Sequence, residues 1–174
     1  MTGDRKHRRC VLFDWGDTLM RDFPEFSGPM ATWPRVESLP CAREALDTLR
    51  SRGWLVVVAT NAVDSDEAAI WEALQRGGLG DSVDRIYCFR NVGHRKPDPA
   101  FFDFVLQDLR LGRSEVVMVG DDFDVDVAGA NAAGLRAVWL IPDSEQARSA
   151  GTHRMIRDLA SLPDLLERWE SERT

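Results

Sequence analysis

Cysteine is scarce in this chain: Cys10, Cys41 and Cys88 are the only three, and no two stand at CxxC spacing. An odd, scattered set argues against a zinc site or a disulfide framework and for a reducing compartment. Long hydrophobic runs are lacking too. The first apolar run, Cys10–Phe13, is cut by Asp14, which is too early for a signal-peptide core or a membrane span. A cytoplasmic protein is expected, with no membrane partner. Positive charge is in deficit: 22 Lys+Arg against 29 Asp+Glu leave a net charge of −7. That balance disfavours nucleic acid or an anionic membrane as the main partner. Any phosphate-bearing ligand then needs a local cation or a metal. Repeats and low-complexity segments are absent. The 174 residues fit one domain, 1–174, with residues 1–9 (including Arg5, Lys6, Arg8 and Arg9) as a flexible, solvated tail.

What is present is an alternation. Apolar runs at 10–13, 54–59, 85–89, 115–119 and 136–141 read as five strands. Helical spacing follows at 42–52, with Gly53 as its stop, and then from an Asp64-x-x-Glu67 capping box to Gly77-Gly78. A third helix starts at Asp98-Pro99, with Pro at the first helical position. Residues 124–133 form an Ala/Gly-rich helix, and 162–169 a closing amphipathic one. Strands apolar on both faces, separated by helices, predict an α/β fold: a doubly wound, five-stranded parallel sheet, Rossmann-like, with helices on both sides. Residues 20–40 break the pattern. They hold four prolines, Gly28, Phe23, Phe26 and Trp33, and read as a flap over the mouth of the first strand.

In such sheets ligands sit beyond the strand C-termini. Asp14 follows the first strand, and a carboxylate there is costly unless paired, metal-bound or catalytic. Thr60-Asn61 follow the second, Lys96 lies between Gly93 and Pro97, and Asp121, Asp122, Asp124 and Asp126 crowd after the fourth. Each feature alone has an ordinary explanation: a turn aspartate, turn residues, a solvated cation, a helix cap. Four acids exceed what one cap can use, and hard oxygen donors suit magnesium. Together the four places put a carboxylate, a hydroxyl, an ammonium and a second acid cluster on one rim.

This layout resembles the haloacid dehalogenase-like hydrolase superfamily, most of whose members are magnesium-dependent phosphatases. The likeness runs from about Val11 to Ile141. It is carried by Phe13-Asp14-Trp15-Gly16-Asp17-Thr18-Leu19, by Thr60, by Gly93-His94-Arg95-Lys96-Pro97-Asp98-Pro99 with Phe102, and by Val119-Gly120-Asp121 through Asp126 to Gly134. The resemblance implies that Asp14 is a nucleophile forming an aspartyl phosphate. It implies that Thr60 and Asn61 bind the phosphoryl group and that Lys96 neutralises charge between it and Asp14. It implies Mg²⁺ held by Asp14, Asp121 and the Gly16 carbonyl, with Asp126, and less directly Asp122, in support.

Two features depart from, or restrict, that pattern. Phosphatases of the superfamily carry a second Asp two positions after the nucleophile, which protonates the leaving group and later activates water. Here Gly16 stands there. Asp17 is one position later, where many relatives also have Asp, so it is no relocated catalyst. If another residue supplies the proton, Asp17 and the flap acids Asp22 and Glu25 are the first to consider. The spacing also leaves no room for a cap domain after Leu19 or between Thr60 and Lys96. Capless relatives tend to take large substrates or to close their sites by oligomerising. The expectation is a Mg²⁺-dependent phosphatase acting on an unidentified phosphate ester, small or large, with an oligomer left open. The competing readings are a catalytically weak or inactive binding protein on the same fold, and a dehalogenase-like hydrolase.

Overall fold

Valine and other apolar residues fill the strands at both side-chain parities, so each interior strand is buried on two faces. In the computed structural model, which describes residues 9–141 and 152–172, the strands are β1 (Cys10–Phe13), β2 (Leu55–Ala59), β3 (Arg85–Tyr87), β4 (Val116–Gly120), β5 (Arg136–Leu140) and β6 (His153–Ile156). All pairings are parallel, in the order β3-β2-β1-β4-β5-β6. Val11 lies opposite Val56 on one side and Val117 on the other. Val11, Phe13, Val56, Val58, Val117 and Val119 face one layer; Cys10, Leu12, Val57, Ala59, Val116 and Met118 face the other. A one-residue slip would swap these sets.

The first layer is covered by α1 (Ala42–Ser51), α2 (Glu67–Arg76) and α6 (Leu162–Ser171). The second is covered mainly by α4 (Pro99–Leu109) and α5 (Gly129–Ala132), with the short α3 (Phe89–Val92) contributing Val92. Phe101, Phe102 and Val105 of α4 are fully buried. At about 1.5–3 kcal/mol for each fully buried large side chain, this packing fixes the sheet's two faces.

The architecture is the expected doubly wound sheet, with six strands rather than five. Strand β6 pairs only with β5, and its Arg154 and Met155 stay partly exposed. An edge strand needs no continuous apolar run, so it left no such signal. Strand β3 is shorter than expected because Cys88 turns the chain into α3. The cap of α2 is Asp66, not Asp64: its carboxylate accepts from the Ala69 N–H at 2.9 Å. Asp98 caps α4 as expected, through the Ala100 N–H at 2.9 Å. The segment 124–133 is not one α-helix. A wider π-helical turn, Phe123–Ala128, precedes α5, with Asp122 accepting from the N–H groups of Asp124 and Val125.

The flap is tied down. Met20 bridges to Gly16 and to Ser38, and residues 30–32 form a 3-10 turn. Arg76 of α2 donates to the carbonyls of Ala31 (2.5 Å) and Trp33 (2.9 Å). Phe23, Phe26 and Trp33 meet edge-on or tilted, with centroids 5.7–6.5 Å apart. Gly77 leaves room for the end of the buried Met20 side chain, which a Cβ there would displace. No cap domain interrupts the chain between β1 and α1 or between β2 and α4. Of the expected tail, residues 1–8 lie outside the described residues. Arg9 is anchored: it donates to the Arg52 carbonyl at 3.0 Å and stacks on Trp54. Among the described residues, no helix is long and apolar enough to cross a membrane.

Candidate active site

The order of winding reverses at β1: the chain builds outward to β2 and β3, then returns to β4 on the other flank. Such a switch point leaves a crevice at the strand C-termini. Asp14 stands in it, its backbone N–H bonded to the Val119 carbonyl at 2.9 Å. The cleft measures about 690 Å³. The β1 turn, Thr60 to Ser65, Lys96, Asp121, Asp122, Val125 and Asp126 form its floor and one wall. Asp22, Phe26, Ser27, Gly28, Met30 and Trp33 of the flap form the other.

Lys96 is the hub. Its side chain is fully buried, and its ammonium donates to Asp14 Oδ1 at 2.9 Å and to Asp126 Oδ1 at 2.6 Å. Burial alone would lower the amine's pKa. The two carboxylates outweigh it and hold the pKa above its ordinary value, so the group is charged. Lys6 and Lys96 are the only lysines in a chain of 22 cationic residues. The compact ammonium reaches both carboxylates from a side chain with no exposed surface.

The backbone delivers Lys96 by close approach. Gly129, at the start of α5, lets Pro97 in: a Cβ there would stand 2.6 Å from the Pro97 Cβ. Gly120 ends β4 because a Cβ would overlap the Asp126 carboxylate. The π-helical turn swings Asp126 inward to 1% exposure, and its Oδ2 accepts from the Asp122 N–H at 3.2 Å. Burial, Asp14 and Asp121 push the Asp126 carboxyl up to about 7, against the pull of Lys96. Asp121 is also raised, by burial first and then by Asp14, while the Thr18 hydroxyl, donating to Oδ1 at 3.1 Å, opposes the shift.

Carboxylate oxygens of Asp14, Asp121 and Asp126 lie within 4.8 Å of one another. With all three ionised, one ammonium would leave two negative charges uncompensated, and burial together with that crowding makes the carboxyls of Asp121 and Asp126 hold their protons more tightly than usual. A hard divalent cation would balance those charges, and all-oxygen donors are what Mg²⁺ takes. The donor set therefore fits the metal that the resemblance implies.

The other expected residues divide. Thr60 is buried at the cleft, its Oγ1 accepting from the Ala62 N–H at 3.1 Å. Asn61 has a different partner from the expected phosphoryl oxygen. Its amide donates to the Lys96 carbonyl at 2.7 Å and accepts from the Lys96 N–H at 2.9 Å. Gly16 lines the cleft beside Asp14. Asp122 caps the π-helical turn, and Asp124 points outward. Asp17 is exposed and left-handed (φ 51°), its Oδ1 accepting from the Asp22 N–H at 2.9 Å. Thr18 had no signal beyond its place in the first motif. The flap lies over the mouth of the first strand as expected, and Asp22 is the flap acid that lines the cleft.

A family model described as haloacid dehalogenase-like hydrolase matches residues 25–134. The chain belongs to that family. Among haloacid dehalogenase-like relatives, a ribulose-1,5-bisphosphate 5-phosphatase of Halopiger xanaduensis is 36% identical over 74% of this chain and 56% of its own length. A phosphoglycolate phosphatase of Rhodospirillum rubrum is 34% identical over 73% of this chain and 52% of its own. The chain thus spans about half the length of the curated relatives it matches. Among solved haloacid dehalogenase-like folds, an uncharacterized protein from Listeria monocytogenes serotype 4b superposes with a TM-score of 0.80 at 30% identity. That match covers 94% of this chain and 99% of that one. A 2-haloacid dehalogenase from Pseudomonas syringae pv. Tomato DC3000 has a TM-score of 0.73 at 23% identity, over 92% and 99%, a likeness of fold alone.

Proposed function

We propose that this chain is a Mg²⁺-dependent phosphomonoester hydrolase working through an aspartyl phosphate. On this reading it is a single domain, 1–174, of the cytoplasm and acts on a phosphorylated small molecule. The observation that carries the reading is the Lys96 ammonium locked between Asp14 and Asp126 beneath an open cleft, with Asp121 beside them. Asp14 keeps an oxygen free of Lys96, and that oxygen attacks phosphorus in line with the leaving group. Lys96 offsets the charge that builds between the Asp14 carboxylate and the phosphoryl oxygens. The Thr60 hydroxyl, which only accepts from Ala62, has its proton to donate to a phosphoryl oxygen. Asn61 acts at one remove, by fixing the Lys96 backbone. Asp14, Asp121 and the Gly16 carbonyl would hold the metal, with Asp126 behind them. When bound, Mg²⁺ supplies the charge neutralisation that lets a carboxylate and a phosphate approach each other. Relatives named as phosphatases agree with this chemistry.

The test is Mg²⁺-dependent phosphate release from p-nitrophenyl phosphate, with Asp14→Asn as the control. Release that needs the metal and vanishes in a folded Asp14→Asn variant supports the reading. Turnover by that variant excludes the covalent route. Metal-independent release of halide from a 2-haloacid would favour a dehalogenase, and ligand binding without turnover a binding protein.

A further inference from the structure

Gly16 stands where the superfamily's second carboxylate is expected, and neither backbone nor crowding explains the glycine. It is not among the residues with positive φ. The three atoms nearest to a Cβ built on it all belong to Asp22, at 3.6 Å for Oδ2, 3.7 Å for Cβ and 3.9 Å for Cγ, which are ordinary contact distances. The space a side chain at 16 would enter therefore borders on the carboxyl of Asp22.

Asp22 is held in that place. Its N–H donates to Asp17 Oδ1 at 2.9 Å. Arg21 before it bonds through its N–H to the Glu37 carbonyl at 2.8 Å. Phe23 after it is buried against Phe26 and Trp33, with Arg35 over its ring at 4.0 Å. Of the neighbouring acids, Asp17 also lines the cleft but serves to hold Asp22, spending Oδ1 on its N–H, and Glu25 lies outside it, paired with Arg35 at 3.7 Å.

We propose that Asp22, carried in by the flap, exchanges the proton with the leaving-group oxygen in place of the carboxylate missing at position 16. The inference rests on the phosphomonoesterase reading above. In the first half-reaction an Asp14 oxygen bonds to phosphorus, the ester P–O bond breaks, and the Asp22 carboxyl proton passes to the departing oxygen. In the second, a water oxygen bonds to phosphorus and gives a proton to the Asp22 carboxylate. The P–O bond to Asp14 then breaks, and both groups return to their starting state. The flap thereby completes the active site as well as covering it.

The experiment compares wild type, Asp22→Asn and the Asp22→Asn/Gly16→Asp double variant. Each is given Mg²⁺ and either p-nitrophenyl phosphate, whose leaving group needs no proton, or glycerol phosphate, whose leaving group does. Capture of beryllofluoride on Asp14 reports an intact site independently of turnover. Asp22→Asn should keep beryllofluoride capture. It should lose about 10²–10⁴-fold in turnover of glycerol phosphate and less than about tenfold on the aryl ester. Gly16→Asp should restore much of the loss. An Asp22→Asn variant that keeps the wild-type ratio of the two rates overturns the role of Asp22 and leaves the phosphatase reading standing. Wild-type protein that captures beryllofluoride but releases phosphate from neither ester overturns the phosphatase reading, and the role of Asp22 with it.

Discussion

Asn61 grips the backbone of Lys96 from both sides, donating to its carbonyl at 2.7 Å and accepting from its N–H at 2.9 Å. The grip joins the C-terminal end of β2 to the loop before α4 and so sets where the ammonium lands between Asp14 and Asp126. Asn61→Ala should cost about 1–3 kcal/mol in stability, for two hydrogen bonds lost. A misplaced ammonium should lower the kcat for p-nitrophenyl phosphate by about 10²-fold, with little change in KM. Urea unfolding and steady-state kinetics check both. An unchanged kcat would show that Lys96 is positioned without Asn61.

On the proposed metal reading, the clustered carboxylates of Asp14, Asp121 and Asp126 should respond to a cation before any chemistry occurs. Mg²⁺ should raise the melting temperature by mass action, worth about 2.7 kcal/mol at a hundred times Kd. Asp121→Ala should remove most of that shift. Calorimetry with and without chelator measures it, and a wild-type protein indifferent to Mg²⁺ would sink the metal assignment.

Asp126 gives the apoprotein a pH dependence of definite sign. Its carboxyl is pushed up from 3.8 to about 7 by burial, with Asp14 and Asp121 adding to the effect and Lys96 opposing it. A folded-state value above the unfolded one contributes stability below 3.8, and that contribution is lost as pH rises through about 7. In chelator, wild type should therefore lose stability relative to Asp126→Asn between about pH 4 and 7.5, by an amount on the order of a few kcal/mol. Urea midpoints at the two ends of that range test it, and parallel curves for the two proteins would contradict it.

The strand order and the two-layer core were legible because β-branched runs and helical spacing are periodic. The rim was legible because Asp14, Thr60 and Asp121 each sit one step beyond a strand and Lys96 lies in the loop just before α4. What escaped was set by tertiary contacts. The bonds from Asn61 to the Lys96 backbone carry no sequence signal, because the two residues are distant in the chain. Strand β6 is half-exposed and leans on β5 alone. The π-helical turn at 123–128 arises where Asp126 must point inward and Asp122 must cap, a conflict that local propensity does not record.

The cleft's charge also restricts what enters it. Among the described residues lining it, Lys96 is the only cation, facing seven aspartates. A phosphate monoester whose alcohol carries a second anionic group should be turned over with kcat/KM about tenfold or more below that of an uncharged isostere, and the gap should narrow with salt. A charge series at two ionic strengths decides it, and a preference for the anionic ester would refute it.

The near-absence of lysine turns the buried ammonium into a spectroscopic probe. Isotope-labelled lysine, supplied during expression, would mark two side chains in the whole protein, Lys6 and Lys96. The amine resonance of Lys96 is shielded from solvent exchange by full burial and pinned by two carboxylates. It should stand alone in the spectrum and shift at each event beside it: cation entry, loading of phosphate on Asp14, and release. The site could then be followed one atom at a time, without a substitution and without a dye.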